Sequence, residues 1–393
     1  MPNAATMTHC PRGLDTKNMD IPFVDLAEKQ RRIREDLNFR IGKVLDHGGY
    51  ILGPEVGELE AELAAFAGCH HCVAVSSGTD ALLAVLMAKG IGRGDAVFLP
   101  SFTFTATAEV VLLCGATPVF VDVDAATFNL DPKSLSEAID QTANGGQLRP
   151  AAIIPVDLFG QPANYQAINK LASEYGLFVL ADAAQSVGAR YENRAVGTLA
   201  DATATSFYPA KPLGCYGDGG AIFTDDDDLA ATCISLRNHG QGEGRYDIIR
   251  FGLNARLDTL QAAILLSKLS IFEDEIRLRR AVAQRYTDKL AALVETPVQM
   301  PGTDSIWAQY TIKLPRRDAV AAALRQQGIP TQIYYPLPMH LQPAYAQYGG
   351  GEGSLPVSEQ LSGEVLALPM HPYLDEAAIT TICDALREGL RAG

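Results

Sequence analysis

Short apolar runs recur through the first half of the chain, each followed by small or polar residues and then, in most cases, by a stretch with helical spacing. The runs fall at 72–76, 96–99, 118–122, 151–156, 177–181 and 202–207, and the helical stretches begin at 79, near 105–114 and at 163–175. Continuous apolar runs of this length read as strands buried on both faces, which is the signature of a parallel sheet. Strands alternating with helices predict a mostly parallel sheet covered on both sides, with ligands at the carboxyl edge of its strands.

The flanks have a different pattern. After a polar tail over residues 1–20, Asp25 and Glu28 are spaced like a capping box, and Ile33, Leu37, Ile41 and Val44 form one helical face ending at Gly48-Gly49. A second helix follows Gly53-Pro54, with Val56, Leu59, Leu63 and Phe66 on one side. Residues 219–224 read as a further strand, and the acidic run Asp225 to Asp228 suits the first turn of a helix, where carboxylates complement the dipole. A Gly-, Asn- and Arg-rich loop over 238–255 precedes one long helical stretch from Leu257 to about Leu293. Beyond it lie a strand within 307–314, a helix at 317–327, a Pro- and Tyr-rich loop at 330–343 and a last helix from about 375 to 390. The expected division is a large domain over 21–270, and a linking helix with a smaller α+β domain over 271–393.

At 393 residues and 47% hydrophobic content the chain can bury two sizeable cores. Its formal net charge of -14 disfavours nonspecific binding to nucleic acid or anionic membrane. No segment has the length and apolarity of a membrane span, and the odd count of seven cysteines does not form a disulfide framework. A soluble, cytoplasmic protein is expected.

Against this background one lysine stands out, in Ser206-Phe-Tyr-Pro-Ala-Lys211-Pro-Leu-Gly. It lies on a short turn between two strand-like segments. Upstream, the run at 177–181 ends in Asp182, an acid delivered at a strand's carboxyl edge, and Ser77-Gly78-Thr79 opens a helix whose first amides have no intrahelical partner and suit a phosphate. Phosphate site, acid and lysine together describe a pocket for pyridoxal phosphate (PLP), in which the lysine amine holds the aldehyde and the carboxylate keeps the ring nitrogen protonated.

Six segments then carry a family resemblance: Ser76-Ser-Gly-Thr-Asp-Ala-Leu82, Pro100-Ser-Phe-Thr-Phe-Thr-Ala-Thr107, Asp182-Ala-Ala-Gln185, Ser206 to Gly214, Gly217-Asp-Gly-Gly220 and Gly252-Leu-Asn-Ala-Arg-Leu-Asp258. In this order, from about residue 20 to the end, the chain resembles the DegT/StrS nucleotide-sugar aminotransferases, whose fold is the type I PLP-dependent transferase fold of aspartate aminotransferase. The resemblance implies cofactor contacts from Gly78, Thr79, Phe104, Asp182, Gln185, Ser206, Lys211 and Asn254. Of these, Phe104 would lie on the pyridine ring, Gln185 beside its hydroxyl, and Asn254 would reach the phosphate held by a neighbouring subunit. A homodimer with shared active sites is thus implied.

Some family members carry histidine in place of the lysine and dehydrate a sugar instead. Lys211 is intact, so the resemblance implies transamination, with L-glutamate as donor and a nucleotide-linked keto sugar as acceptor. The segments look most like members acting at C3, such as those that aminate UDP-2-acetamido-2-deoxy-3-keto-glucuronic acid for surface polysaccharide. Arg250, with Arg237 as a second candidate, would meet the uronate or diphosphate, and Tyr334 and Tyr335 the sugar. Tyr334 departs from that subgroup, which has histidine before Tyr-Pro. Alternatives are a 4-keto sugar or aminocyclitol transaminase and, from another class, a non-catalytic PLP-fold binding protein. Cys69-His70-His71-Cys72 resembles a metal knuckle, but without a second Cys/His pair nearby no metal is expected. His239, His340 and His371 carry no specific claim.

Overall fold

The computed structural model describes residues 21–244 and 246–392; the tail expected over residues 1–20 lies outside them. A seven-stranded sheet organises the first two thirds, in the spatial order His71–Val75, Gly220–Thr224, Ala202–Ser206, Phe178–Asp182, Arg149–Ile153, Asp95–Pro100 and Thr117–Val121. Six of these strands run parallel, and Gly220–Thr224 is antiparallel to both neighbours. Its first residue, Gly220, stands opposite Val75 on one side and Ser206 on the other.

Alternating side chains fill two layers. Phe98, Ile153 and Phe223 point into one core with Leu59 and Leu63, whereas Leu99, Ile154 and Ile222 point into the other with Leu82 and Val85. The covering helices include Pro54–Ala67, Gly78–Ala88, Ala106–Leu113 and Tyr165–Tyr175. A further helix, Pro132–Gly145, was not expected; Asp131 caps it by accepting from Ser134 N at 2.9 Å, and Pro132 occupies its first position.

Two helices expected to be continuous are broken. Leu26–Arg32 and Arg34–His47 meet at Ile33, whose buried side chain turns into a cluster with Leu37 and Ile264. Asp25 does accept from Glu28 N at 2.9 Å, but the Glu28 carboxylate pairs with Arg31 instead of closing the capping box. The stretch from Leu257 likewise divides into Thr259–Leu269 and Phe272–Leu290. The second of these bridges two cores: Phe272 and Ile276 pack under the large sheet, while Val282, Tyr286 and Leu290 join Ile21, Ile312 and Leu386. This second core is built on the antiparallel pair Tyr310–Lys313 and Val365–Leu368. No helix among the described residues is long and apolar enough to cross a membrane.

Candidate active site

The parallel strands end along one edge, and that edge collects most of the residues singled out in the sequence. Ser77 caps the helix Gly78–Ala88 by accepting from Asp80 N at 3.0 Å, leaving the first amides of the helix turned outward. The cradle is built for backbone. A Cβ added at Gly78 would meet Ser206 Cβ at 2.7 Å, and one at Gly220 would meet Gly78 N at 2.7 Å. Gly78, which opens the helix with Thr79, is thus packed against Ser206 at a positive helix end, a place suited to phosphate.

Asp182 forms the floor. Its Oδ2 accepts from Thr107 Oγ1 at 2.8 Å and its Oδ1 from Ala184 N at 3.2 Å. Burial pushes the carboxyl up, while Thr107, Ala184 and the charge of Lys211 oppose that shift. Lys211 stands across from it on a turn closed by Lys211 N donating to Tyr208 O at 2.8 Å. Burial pushes its amine down, and Asp182 pulls it back up. The Lys211 side chain has no hydrogen-bond partner among the described residues, so the amine is free to react.

Above this floor Gln185 accepts from Phe159 N at 2.6 Å and pairs with the Tyr335 hydroxyl. Tyr335 sits edge-on to Phe102 at 6.1 Å and 6.4 Å from Phe104, with Tyr334 beside it at 5.9 Å. The Phe104 ring is 58% exposed, an apolar face offered at the mouth of the pocket. An aldehyde-reactive amine, a phosphate cradle, a carboxylate and a free aromatic face fit PLP.

Three residues stand apart from this group. Asn254 is exposed and lies on a segment laid against the end of the first strand, where Ser76 N donates to Ala255 O at 3.0 Å. Arg250 is half-buried in the loop that includes the exposed Ile248, Ile249 and Phe251. Arg237 requires a correction: its buried guanidinium pairs with Glu60 and donates to Ala74 O at 2.7 Å, so it braces the fold and is not presented to a substrate. In the Cys/His cluster Cys72 is buried and His71 meets Asp227 at 2.6 Å.

Sequence reading missed the layer behind the site. Asp157 is fully buried and accepts from Ala163 N at 2.8 Å, Tyr165 Oη at 2.9 Å and Ser186 Oγ at 2.7 Å, while its own N–H donates to Asp182 O at 3.0 Å. Thr107 ends the segment Pro100-Ser-Phe-Thr-Phe-Thr-Ala-Thr107, yet only the fold shows that it serves Asp182. His340 links the segment after the strand Asp95–Pro100 to the helix Pro356–Glu364, through Ser101 Oγ at 2.7 Å and Glu359 Oε1 at 3.1 Å.

Known proteins resemble the chain over nearly its whole length. Over 367 residues the chain is 50% identical to the UDP-2-acetamido-2-deoxy-3-oxo-D-glucuronate aminotransferase of Pseudomonas aeruginosa, covering 93% of this chain and 99% of that protein. It is 41% identical to a UDP-N-acetyl-3-dehydro-alpha-D-glucosamine 3-aminotransferase of Acidithiobacillus ferrooxidans, covering 95% and 99%. Among solved structures, a DegT DnrJ EryC1 StrS aminotransferase from Brucella abortus superposes with a TM-score of 0.92 at 52% identity, covering 94% of this chain and 99% of that one. NtdA from Bacillus subtilis, solved with bound cofactor PMP, gives 0.86 at 31% identity over 95% and 87%. Residues 31–387 match the family as a whole, and the chain belongs to the DegT/DnrJ/EryC1/StrS aminotransferase family.

Proposed function

We propose that this PLP-dependent aminotransferase moves an amino group from L-glutamate to C3 of a UDP-2-acetamido-3-keto-uronic acid, a step toward a surface polysaccharide. The carrying observation is the half-buried Lys211 amine, without a hydrogen-bond partner among the described residues and within electrostatic reach of the buried Asp182 carboxylate, with Ser206 packed against the helix start at Gly78. Identity of 50% over nearly the full length of the P. aeruginosa enzyme supports the choice of acceptor.

When bound, PLP supplies an aldehyde for the lysine and a ring that accepts electrons from the substrate carbon. Gly78, Thr79 and Ser206 hold the phosphate, Asp182 the ring nitrogen, Gln185 the side of the ring hydroxyl and Phe104 one ring face. Thr107 and the Ala184 amide favour the ionised form of Asp182 and so oppose the upward push of burial. Lys211 then carries a proton at the substrate carbon that bears the nitrogen; its lowered pKa leaves a larger neutral fraction for this work. Tyr334 and Tyr335 border the sugar, and Arg250 receives its carboxylate.

The assembly is a homodimer that shares its sites. In support, the loop bearing Arg250 exposes Ile248, Ile249 and Phe251, and Tyr50, Ile51 and Leu52 add a further exposed apolar stretch. Asn254, exposed and three residues from Phe251, suits a contact across that interface. The fold divides near residue 270 into a large PLP-binding domain and a smaller one, in line with the two cores. A cytoplasmic setting suits a chain whose described cysteines are all unpaired.

The test is the visible spectrum of the purified, PLP-loaded protein with and without L-glutamate, beside Lys211→Ala. Loss of the lysine-bound absorbance on adding glutamate, absent in the variant, supports the donor half-reaction; an unaltered wild-type spectrum with glutamate and other amino donors overturns it. A panel of 3-keto and 4-keto nucleotide sugars then decides the acceptor carbon.

A further inference from the structure

Two more lysines are buried against the backbone of the Lys211 turn. Lys29, on Leu26–Arg32, is 5% exposed and donates to Pro212 O at 2.6 Å. Lys268, on Thr259–Leu269, is 1% exposed, donates to Gly214 O and lies 4.1 Å from the centre of the Tyr216 ring. Their targets are the carbonyls one and three residues beyond Lys211. Glu275, on Phe272–Leu290, meets Lys29 at 2.8 Å and accepts from Tyr373 Oη.

Burying a lysine is costly whether the ammonium is desolvated or its proton given up: burial lowers both amines, that of Lys268 to about 7, and a single carboxylate, Glu275, pairs with Lys29. Replacing buried charged groups by apolar side chains of similar volume is often neutral or stabilising. What such a side chain would not do is hold a carbonyl in place. The turn also leans on close backbone approach: a Cβ at Gly214 would meet Tyr208 O at 2.5 Å. The segment is thus closed on itself and tethered at two points by helices from distant parts of the chain.

We propose that Lys29 and Lys268 are positioning residues for Lys211, holding the carbonyls of Pro212 and Gly214 so that the Lys211 amine returns to one place each time it leaves and rejoins the cofactor. This rests on Lys211 being the cofactor-bearing amine. The charged groups facing the turn and its two lysines are Asp182, Glu275, Asp218, Arg32, Arg34 and Arg279, besides Lys29 and Lys268 themselves.

The experiment uses full-length, PLP-loaded protein and the variants Lys29→Met, Lys268→Met and Lys211→Ala. For each, the pH midpoint of the cofactor's visible band, kcat and KM for the sugar, and Tm are measured. If the lysines position the amine, both Met variants keep bound cofactor, the midpoint moves by about half a pH unit or more, and kcat falls roughly tenfold while KM changes less than about threefold. Unchanged midpoint and kcat, with only Tm altered, overturn the proposal and leave the lysines as structural. Should Lys268→Met fail to fold, Lys29→Met and the milder Lys268→Gln decide on the same readouts. If instead Lys211→Ala retains the wild-type band and its titration, the assignment of Lys211 itself falls, a result separate from either outcome for the brace.

Discussion

Thr107 gives its hydroxyl hydrogen to Asp182 Oδ2 across 2.8 Å, tying the helix Ala106–Leu113 to the end of the strand Phe178–Asp182. The same Thr107 oxygen lies 3.1 Å from Thr103 Oγ1, so the carboxylate sits at the end of a short hydroxyl chain. Removing the donor by Thr107→Val leaves a buried carboxylate with one partner fewer and pushes its pKa higher. A hydrogen bond to a charged group is worth about 1.5–3 kcal/mol, so kcat is expected to fall roughly 10- to 100-fold and PLP to dissociate more readily. Thr107→Ser should recover most of both. Wild-type kcat and PLP affinity in the Val variant would remove Thr107 from the mechanism.

Gly78 tests the phosphate cradle. In Gly78→Ala the new methyl would stand 2.7 Å from Ser206 Cβ and 3.2 Å from its Cα, so either the helix start or the strand end must move. The expected result is a loss of PLP affinity of about 100-fold, equivalent to about 2.7 kcal/mol, with a smaller change in the Tm of cofactor-free protein. Equilibrium dialysis measures the first and thermal unfolding the second. Affinity within a few-fold of wild type would place the phosphate elsewhere.

Of these two residues, Gly78 was legible in the sequence as part of a helix start suited to phosphate, whereas the service of Thr107 to Asp182 was not. Strand runs such as 96–99 and 118–122 could be read because a strand buried on both faces must be apolar throughout, and the turn with Lys211 because a reactive lysine between strands is an unusual combination. The break at Ile33 could not be read: neither glycine nor proline marks it, and the cause is the packing of Ile33 against Ile264, which is distant in sequence. The division at Ser270–Ile271 is similar. By contrast, Asp131-Pro132 is a local helix-start signal that could have revealed the helix Pro132–Gly145. Arg237 shows the limit for charged residues, since its partners Glu60 and Ala74 are 177 and 163 positions away. A side chain's freedom to meet a ligand depends on such partners.

Asp157 should leave a mark on stability as pH changes. Burial, reinforced by the nearby Asp182 charge, pushes its carboxyl up to about 7 against the hydrogen bonds of Ala163, Ser186 and Tyr165. In the unfolded chain the group titrates near about 4. Between about 4 and about 7 the folded protein therefore holds a proton that the unfolded chain has released. The group's contribution is fully present below the lower value and is lost as pH rises through the higher one, at roughly 1.4 kcal/mol per pH unit at most. Asp157→Asn removes this dependence. Wild-type Tm minus variant Tm is expected to decline from pH 4 to 7 and to level off above it, whereas a constant difference across that range would show that Asp157 does not titrate there.

Phe251 addresses the assembly. It is 95% exposed in the single chain, on the loop that also carries Arg250, and an aromatic ring left this open in water calls for a covering surface. If a second copy covers it, Phe251→Asp places an unpaired carboxylate in the interface, at a cost of several kcal/mol for a fully desolvated charge. Sedimentation at micromolar concentration should then find the mass of one chain where wild type shows two. Activity should fall along with the dimer, because Asn254 lies three residues from Phe251 and is proposed to complete the neighbour's phosphate site. Raising the protein concentration until dimer returns should restore activity in proportion. A variant that is monomeric and fully active would separate assembly from catalysis and leave each pocket complete within its own chain.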